Sequence, residues 1–250
     1  MFNLRTHPFA VDAFFDHSLV LTYALPVTIL QPMIPGCLVP DSWSEKWGFV
    51  AAAFVSTRHL RPAGFPAWMG RNFILSGYRI FVRYTDVRGR RLRGLYIIRS
   101  VTNKRIMSFS GNLFTHYQYK TADLKMNNSA HRILVSSEKE NIHIEADCSS
   151  EAILPAGSVF DTWQQARRFA GPLPFTFSVD EQRKQVVIIE GVRESWTPQP
   201  INIVQEQVGW LQQKPFAEKK LVSAFLVSRI SYHWKKGRTE PLSQTKNISA

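Results

Sequence analysis

Cysteine is nearly absent from this chain. Cys37 and Cys148 are the only two, with no CxxC pair, which argues against a disulfide framework or a cysteine zinc site and makes a reducing cytoplasm the simplest compartment. Several enzyme signatures are missing too. No Walker loop, GxGxxG, GxSxG or HExxH occurs, which weighs against a nucleotide-dependent enzyme, a serine hydrolase or a zincin. Residues 19–39, "LVLTYALPVTILQPMIPGCLV", carry no charge and are long enough to suggest a membrane span. Pro26, Pro32, Pro35 and Gly36 oppose that reading, because each proline removes a backbone donor and clashes with the preceding turn. A buried strand followed by a short helical turn fits better. The opening "MFNLRTHPFAVDAFFDHS" has no uninterrupted apolar region after a basic start, so no signal peptide is expected. No repeat of 20–50 residues and no low-complexity linker divides the chain.

Acidic residues are also few: 19 Asp/Glu face 31 Lys/Arg, for a net charge of +12. The excess is uneven, since residues 1–125 hold 16 Lys/Arg against 6 Asp/Glu. Within them "YRIFVRYTDVRGRRLRGLYIIRSVTNKRIM" carries nine basic side chains and one acid, Asp86. Such a field attracts anions without specifying which.

Hydrophobic residues make up 44% of the chain and aromatics 12%, enough for a packed core. The dominant period is two, which predicts strands. "WGFVAAAFVS" (47–56) reads as a buried strand. Residues 78–85 and 93–101 flank "DVRGRR" and predict a hairpin with a basic tip. "HRILVSS" with "NIHIEAD", and "PFTFSVD" with "KQVVIIEG", predict two more, and 221–234 a late strand. The best helix is 159–170, capped by Ser158 and stopped at Gly171-Pro172. Many hairpins and few helices predict one mainly β domain over residues 1–236, a single closed antiparallel β-barrel with a few short helices. A polar, frayed tail is expected over 237–250.

Four groups of residues are candidates for chemistry. Lys120, in "GNLFTHYQYKTADL", becomes a nucleophile only if burial or a nearby cation lowers its pKa; otherwise it is a solvated lysine. His116, Lys125 and the arginine-rich hairpin are possible sources of that cation. Arg79 and Arg83 share one strand face and would clamp a carboxylate bidentately if that face is inward. Asn141, His143, Glu145 and Asp147 line another strand face, but neighbours nearly 7 Å apart on one strand rarely close around an ion, so no metal is expected. Tyr78, Tyr84, Tyr96, Phe109, Tyr117 and Tyr119 interleave with arginines, a pattern that suits single-stranded nucleic acid and equally suits β propensity alone.

Several segments, taken in order, carry a resemblance. "LQPMIPGCLVPD" (30–41) is similar to the "L-x-P-L-x-P-x-x-L-x-x-D" segment of an uncharacterised branch of the acetoacetate decarboxylase-like superfamily. "YRIFVRY" resembles that branch's "R-x-Y-V" strand, with Arg79 on the arginine. "NLFTHYQYKTADL" resembles its "R-L-L-x-x-x-P-Y-x-x-A-x-M" segment, with Tyr119 on the tyrosine and Ala122 on the alanine. The likeness runs over roughly residues 15–235. It implies a closed β-barrel with an interior pocket. In acetoacetate decarboxylase two adjacent lysines follow the proline of the last segment, the first forming a Schiff base and the second lowering its pKa. Here Gln118 replaces the proline, Tyr119 falls on the Schiff-base lysine and Lys120 on its helper. A shift of one residue would instead give Lys120 the reactive place. The superfamily's active-site glutamate falls near Leu75 or Ser76, neither acidic.

The combined reading is a cytoplasmic protein binding a small anionic or carbonyl ligand, with room for lyase-type chemistry and no cofactor. Lys120 and Tyr119 are the catalytic candidates; Arg79 and His116 are the substrate-binding ones. A homo-oligomer is left open. The competing reading is a non-catalytic basic module that docks on nucleic acid or an acidic surface through hairpin 78–105.

Overall fold

The computed structural model describes residues 4–129, 131–170 and 173–242. Strand β1 (Val11–Pro26) is long, rich in β-branched and aromatic residues, and ends at Pro26, which has no N–H to continue a ladder. The single turn α1 (Val27–Leu30) follows, so the uncharged stretch 19–39 divides at a proline. Strands β2 (Val39–Pro40), β3 (Trp47–Pro62), β4 (Arg71–Thr85) and β5 (Arg91–Thr102) come next, then helix α2 (Arg105–Phe114). Strands β6 (Tyr119–Thr121), β7 (Lys125–Asn128), β8 (Arg132–Ser137) and β9 (Ile142–Asp147) lead to helix α3 (Trp163–Phe169). The chain continues through β10 (Phe175–Asp180), β11 (Gln185–Arg193), β12 (Gln199–Pro200), β13 (Asn202–Val208), β14 (Lys220–Trp234) and β15 (Arg238–Pro241). The three expected hairpins are β4–β5, β8–β9 and β10–β11.

An eleven-stranded sheet runs β12-β14-β1-β3-β4-β5-β10-β11-β15, with β2 on β4 and β6 on β5. Strand β11 also pairs with β14 over Gly191–Arg193, so the pairing path returns to a strand it has already used. The expectation of a purely antiparallel sheet is corrected. β5 pairs in parallel with both β10 and β6. The reason is the chain between them: α2 and the segments that follow return to β5 from its own N-terminal side, which a tight hairpin cannot do. Strands β13-β9-β8-β7 form a second, antiparallel sheet.

The period-two pattern sorts the core. Leu19, Leu21 and Tyr23 of β1 and Tyr78, Ile80 and Val82 of β4 lie on one face, clustered with Ile133, Val135, Ile142 and Ile144 of the smaller sheet. Ala24, Phe49, Ala51 and Phe81 lie on the other, against Phe160, Ala166 and the partly buried Trp163 and Phe169 at α3. Ala13, Phe15, Ala53, Val55 and Val227 extend that second face as a further cluster, and the cavity described below opens there.

Three local expectations differ from the structure. α3 starts at Trp163, not 159, and its cap is Thr162, whose side chain accepts from the Gln165 amide; Ser158 bonds Val222 O instead. The tail is not frayed throughout: β15 pairs with β11, and Glu240, buried, accepts from the Tyr84 hydroxyl. Residues 243–250 lie outside the described residues. Finally, the arginines of the basic hairpin are not all free surface charge. Asp41, fully buried, receives Arg83 at 2.5 Å and Arg93 at 2.6 Å, and Asp86 receives Arg90 at 2.8 Å. Among the described residues no helix is long and apolar enough to cross a membrane.

Candidate functional site

A cavity of about 650 Å³ lies on the α3 side of the sheet, within the size range that encloses a drug-sized ligand. Alternation on β4 directs Phe73, Leu75, Gly77 and Arg79 into it, joined by Leu95 and Ile97 of β5, Phe15 of β1 and Val55 of β3. Arg71, Asn72, Lys104 and Ile106 at one end are exposed, whereas Val55, Thr57 and Phe73 farther in are buried. Among the lining residues there is no Asp or Glu, while four arginines and Lys104 take part.

Arg79 sits opposite Ala51 of β3 and Ile97 of β5. Its guanidinium folds back over Gly77: a β-carbon there would stand 3.1 Å from Nε and 3.2 Å from Nη2. Any larger residue at 77 would crowd the group. The Nε is buried without a hydrogen-bond partner, and no carboxylate pairs with this arginine among the described residues. Burial depresses the guanidinium below its ordinary pKa; Tyr232, Tyr119 and Tyr117 act in the opposite direction, and Arg193 adds to the depression.

Arg193, at the end of β11, is opposite Tyr232 of β14. It donates through Nη2 to the Tyr232 hydroxyl at 3.1 Å and to Leu173 O at 3.3 Å. Its guanidinium carbon lies 4.3 Å from the Trp196 ring centroid and 5.0 Å from that of Tyr232, so two aromatic faces hold it by cation–π attraction. Its Nε and Nη1 are buried without partners. Taking a cation out of water without an anion is costly, and this cavity holds two arginines, each half-buried, with buried nitrogens lacking a partner.

Tyr117 and Tyr119 line the cavity together. They are two residues apart, the spacing that puts side chains on one side of an extended chain, and Gln118 between them is left-handed, with φ 51°. The backbone of Tyr119 is clasped by Asn112, which accepts from its amide at 2.8 Å and donates to its carbonyl at 2.9 Å. Its ring fills the space left by Gly111, where a β-carbon would come within 2.3 Å. Burial raises the Tyr119 phenol to about 12, with Arg79 pulling in the other direction; burial also raises Tyr117. Both are neutral hydrogen-bond donors at neutral pH.

The candidates therefore separate. Arg79 and Tyr119 meet at one cavity. Lys120 does not line it and is exposed. His116 does not line it either. It is half-buried with Nε2 unpartnered, and burial lowers its pKa while Asp180 raises it. Of the strand face Asn141–Asp147, Glu145 pairs with Arg132, and no group of His, Cys, Asp and Glu suited to a metal is found among the described residues. Arg193 and Trp196 were missed by sequence reasoning. Their only signal is "GVRESW", an arginine closing an apolar strand with a tryptophan three residues on.

The chain matches the DUF2071 family, described as an uncharacterized conserved protein, over residues 13–232, and belongs to that family. No curated protein sequence matches it. Several solved structures share its fold. Acetoacetate decarboxylase from Legionella pneumophila superposes with a TM-score of 0.59 at 11% identity, over 93% of this chain and 88% of the other. An acetoacetate decarboxylase-like enzyme from Sphingomonas wittichii gives 0.60 at 10% identity, over 93% of each chain. The enduracididine biosynthesis enzyme MppR, complexed with pyruvate, gives 0.57 at 10% identity, over 94% and 91%. The fold is acetoacetate decarboxylase-like.

Proposed function

We propose that this protein binds a small carboxylate in its interior cavity, with the carboxyl group between Arg79 and Arg193. One observation carries the reading: two half-buried arginines with buried, unpartnered guanidinium nitrogens, neither matched by a carboxylate among the described residues, reach a cavity whose lining holds no acid. A ligand carboxylate would supply the missing anion, and guanidinium–carboxylate bonds are strong and directional. The likeness to a protein crystallised with pyruvate supports the same ligand chemistry. In this reading the returning strand circuit is a closed barrel and the chain is one folded unit.

The Tyr119 phenol would donate a hydrogen bond to a carbonyl on the ligand. Imine chemistry is not part of the proposal, because Lys120 is exposed and the one lysine lining the cavity, Lys104, is at its exposed end. The test is isothermal titration with carboxylates of graded size against the wild type, Arg79→Met and Arg193→Met. Saturable binding lost in both variants supports the reading. If no carboxylate binds, or if both variants bind unchanged, the reading is wrong.

A further inference from the structure

We infer that the ligand is an amphiphilic carboxylate, an acid with a long apolar body, and not a short keto acid. This rests on the carboxylate reading above and extends it to the rest of the ligand.

The cavity is polarised along β4. Arg71 marks the exposed end and Arg79 the other, and at about 3.3 Å per residue the strand between them covers roughly 26 Å. The wall between the two ends is mainly apolar: Phe73 and Leu75 of β4, Ile97 of β5, Phe15 of β1 and Val55 of β3. Phe114 of α2 and Trp234 of β14 also line it. A molecule the size of pyruvate would satisfy the arginines and leave most of this volume to water. At about 30 Å³ per water, 650 Å³ corresponds to roughly 20 molecules. Most of those waters would face side chains with no hydrogen-bonding group. A chain lying from the arginines toward Ile106 would displace them, and the driving force grows with each methylene removed from water. The charged groups stand toward the two ends of the cavity and the wall between them is mainly apolar, interrupted by the hydroxyls of Thr57 and Ser100, which matches a molecule with one charged head and an apolar tail.

The experiment uses the purified full chain, stripped of bound lipid, and compares pyruvate, butanoate, octanoate and 1-octanol by isothermal titration. With about a fourfold gain in affinity for each buried methylene, octanoate should bind on the order of 200-fold more tightly than butanoate, and 1-octanol much more weakly than octanoate. If pyruvate or butanoate binds as tightly as octanoate, and Arg79→Met abolishes that binding, the arginine clamp stands and the amphiphile inference is overturned. If none of the acids binds, or if 1-octanol matches octanoate, the clamp itself is overturned.

Discussion

Replacing Arg79 by methionine should separate stability from binding. The unbranched methionine side chain can follow the path of the arginine stem over Gly77, while the half-buried charge disappears. In the ligand-free protein the half-buried guanidinium has lost part of its hydration, its Nε is buried and unpartnered, and Arg193 repels it. Removing such a group should stabilise the free protein by about 2 kcal/mol, a rise in Tm of roughly 4–8 °C for a chain of this size. Binding should move the other way. A hydrogen bond to a charged group is worth about 1.5–3 kcal/mol, so affinity for a carboxylate should fall roughly 10- to 150-fold. Scanning calorimetry with and without octanoate reads both effects: a higher Tm alone, and a smaller ligand-induced rise. A variant destabilised by more than about 2 kcal/mol without ligand would refute the reasoning, because it would mean the guanidinium has a structural role that the cavity geometry does not reveal.

The phenols make a second prediction. Tyr119 and Tyr78 are each raised to about 12, in both cases chiefly by burial. Below the ordinary value of 10 they are neutral in both folded and unfolded states. Above it the unfolded chain loses the proton first, so stability should fall as pH rises from about 10 to 12, by about 3 kcal/mol for each group; urea melts at stepped alkaline pH measure this, and a flat profile would contradict it. In the opposite direction, burial lowers His7, His17 and His116, so stability should be full above about 6.5 and decline as pH falls through the lowered folded values. Replacing Arg83 and Arg93 together by serine strands the carboxylate of Asp41 and should cost about 3 kcal/mol, a figure kept modest because both arginines are partly exposed; a change within about 0.5 kcal/mol would show the pairs to be ordinary surface contacts. Borohydride with acetoacetate or pyruvate should trap no adduct on Lys120. A trapped peptide that disappears in Lys120→Arg would make the protein a Schiff-base enzyme.

The sequence showed the local part of this structure and hid the non-local part. Period two placed Ile80, Val82 and Tyr84 on the core face, which leaves Arg79 on the other, and the same period put Tyr119 and Lys120 on opposite sides. It could not show that Arg79 faces an enclosed space while Arg83, two alternations on, reaches Asp41. That depends on β2 covering the end of β4. Period two also puts Tyr117 and Tyr119 on one side, but it gives no sign that this side faces the cavity or that Gln118 between them takes φ 51°, since Gln118 is not a glycine and leaves no compositional mark. Arg193 was hidden for a different reason. Its strand is apolar on both faces, and its partner Tyr232 lies 39 residues away, so no local pattern distinguishes it from a strand-end charge. The parallel pairing of β5 with β10 and β6 is likewise a matter of long-range register. The short strand β15 looked like a tail because its sequence is polar, yet its Glu240 is buried by Tyr84 and by Arg238.

The most direct test is a crystal structure with a carboxylate carrying bromine at the far end of its chain, located by anomalous scattering. Carboxyl oxygens should lie within about 2.7–2.9 Å of guanidinium nitrogens of both Arg79 and Arg193, with bromine toward Ile106. A carboxylate bound at Lys104 with the chain reversed, or bromine found only on the outer surface of the arginine hairpin, would contradict this placement.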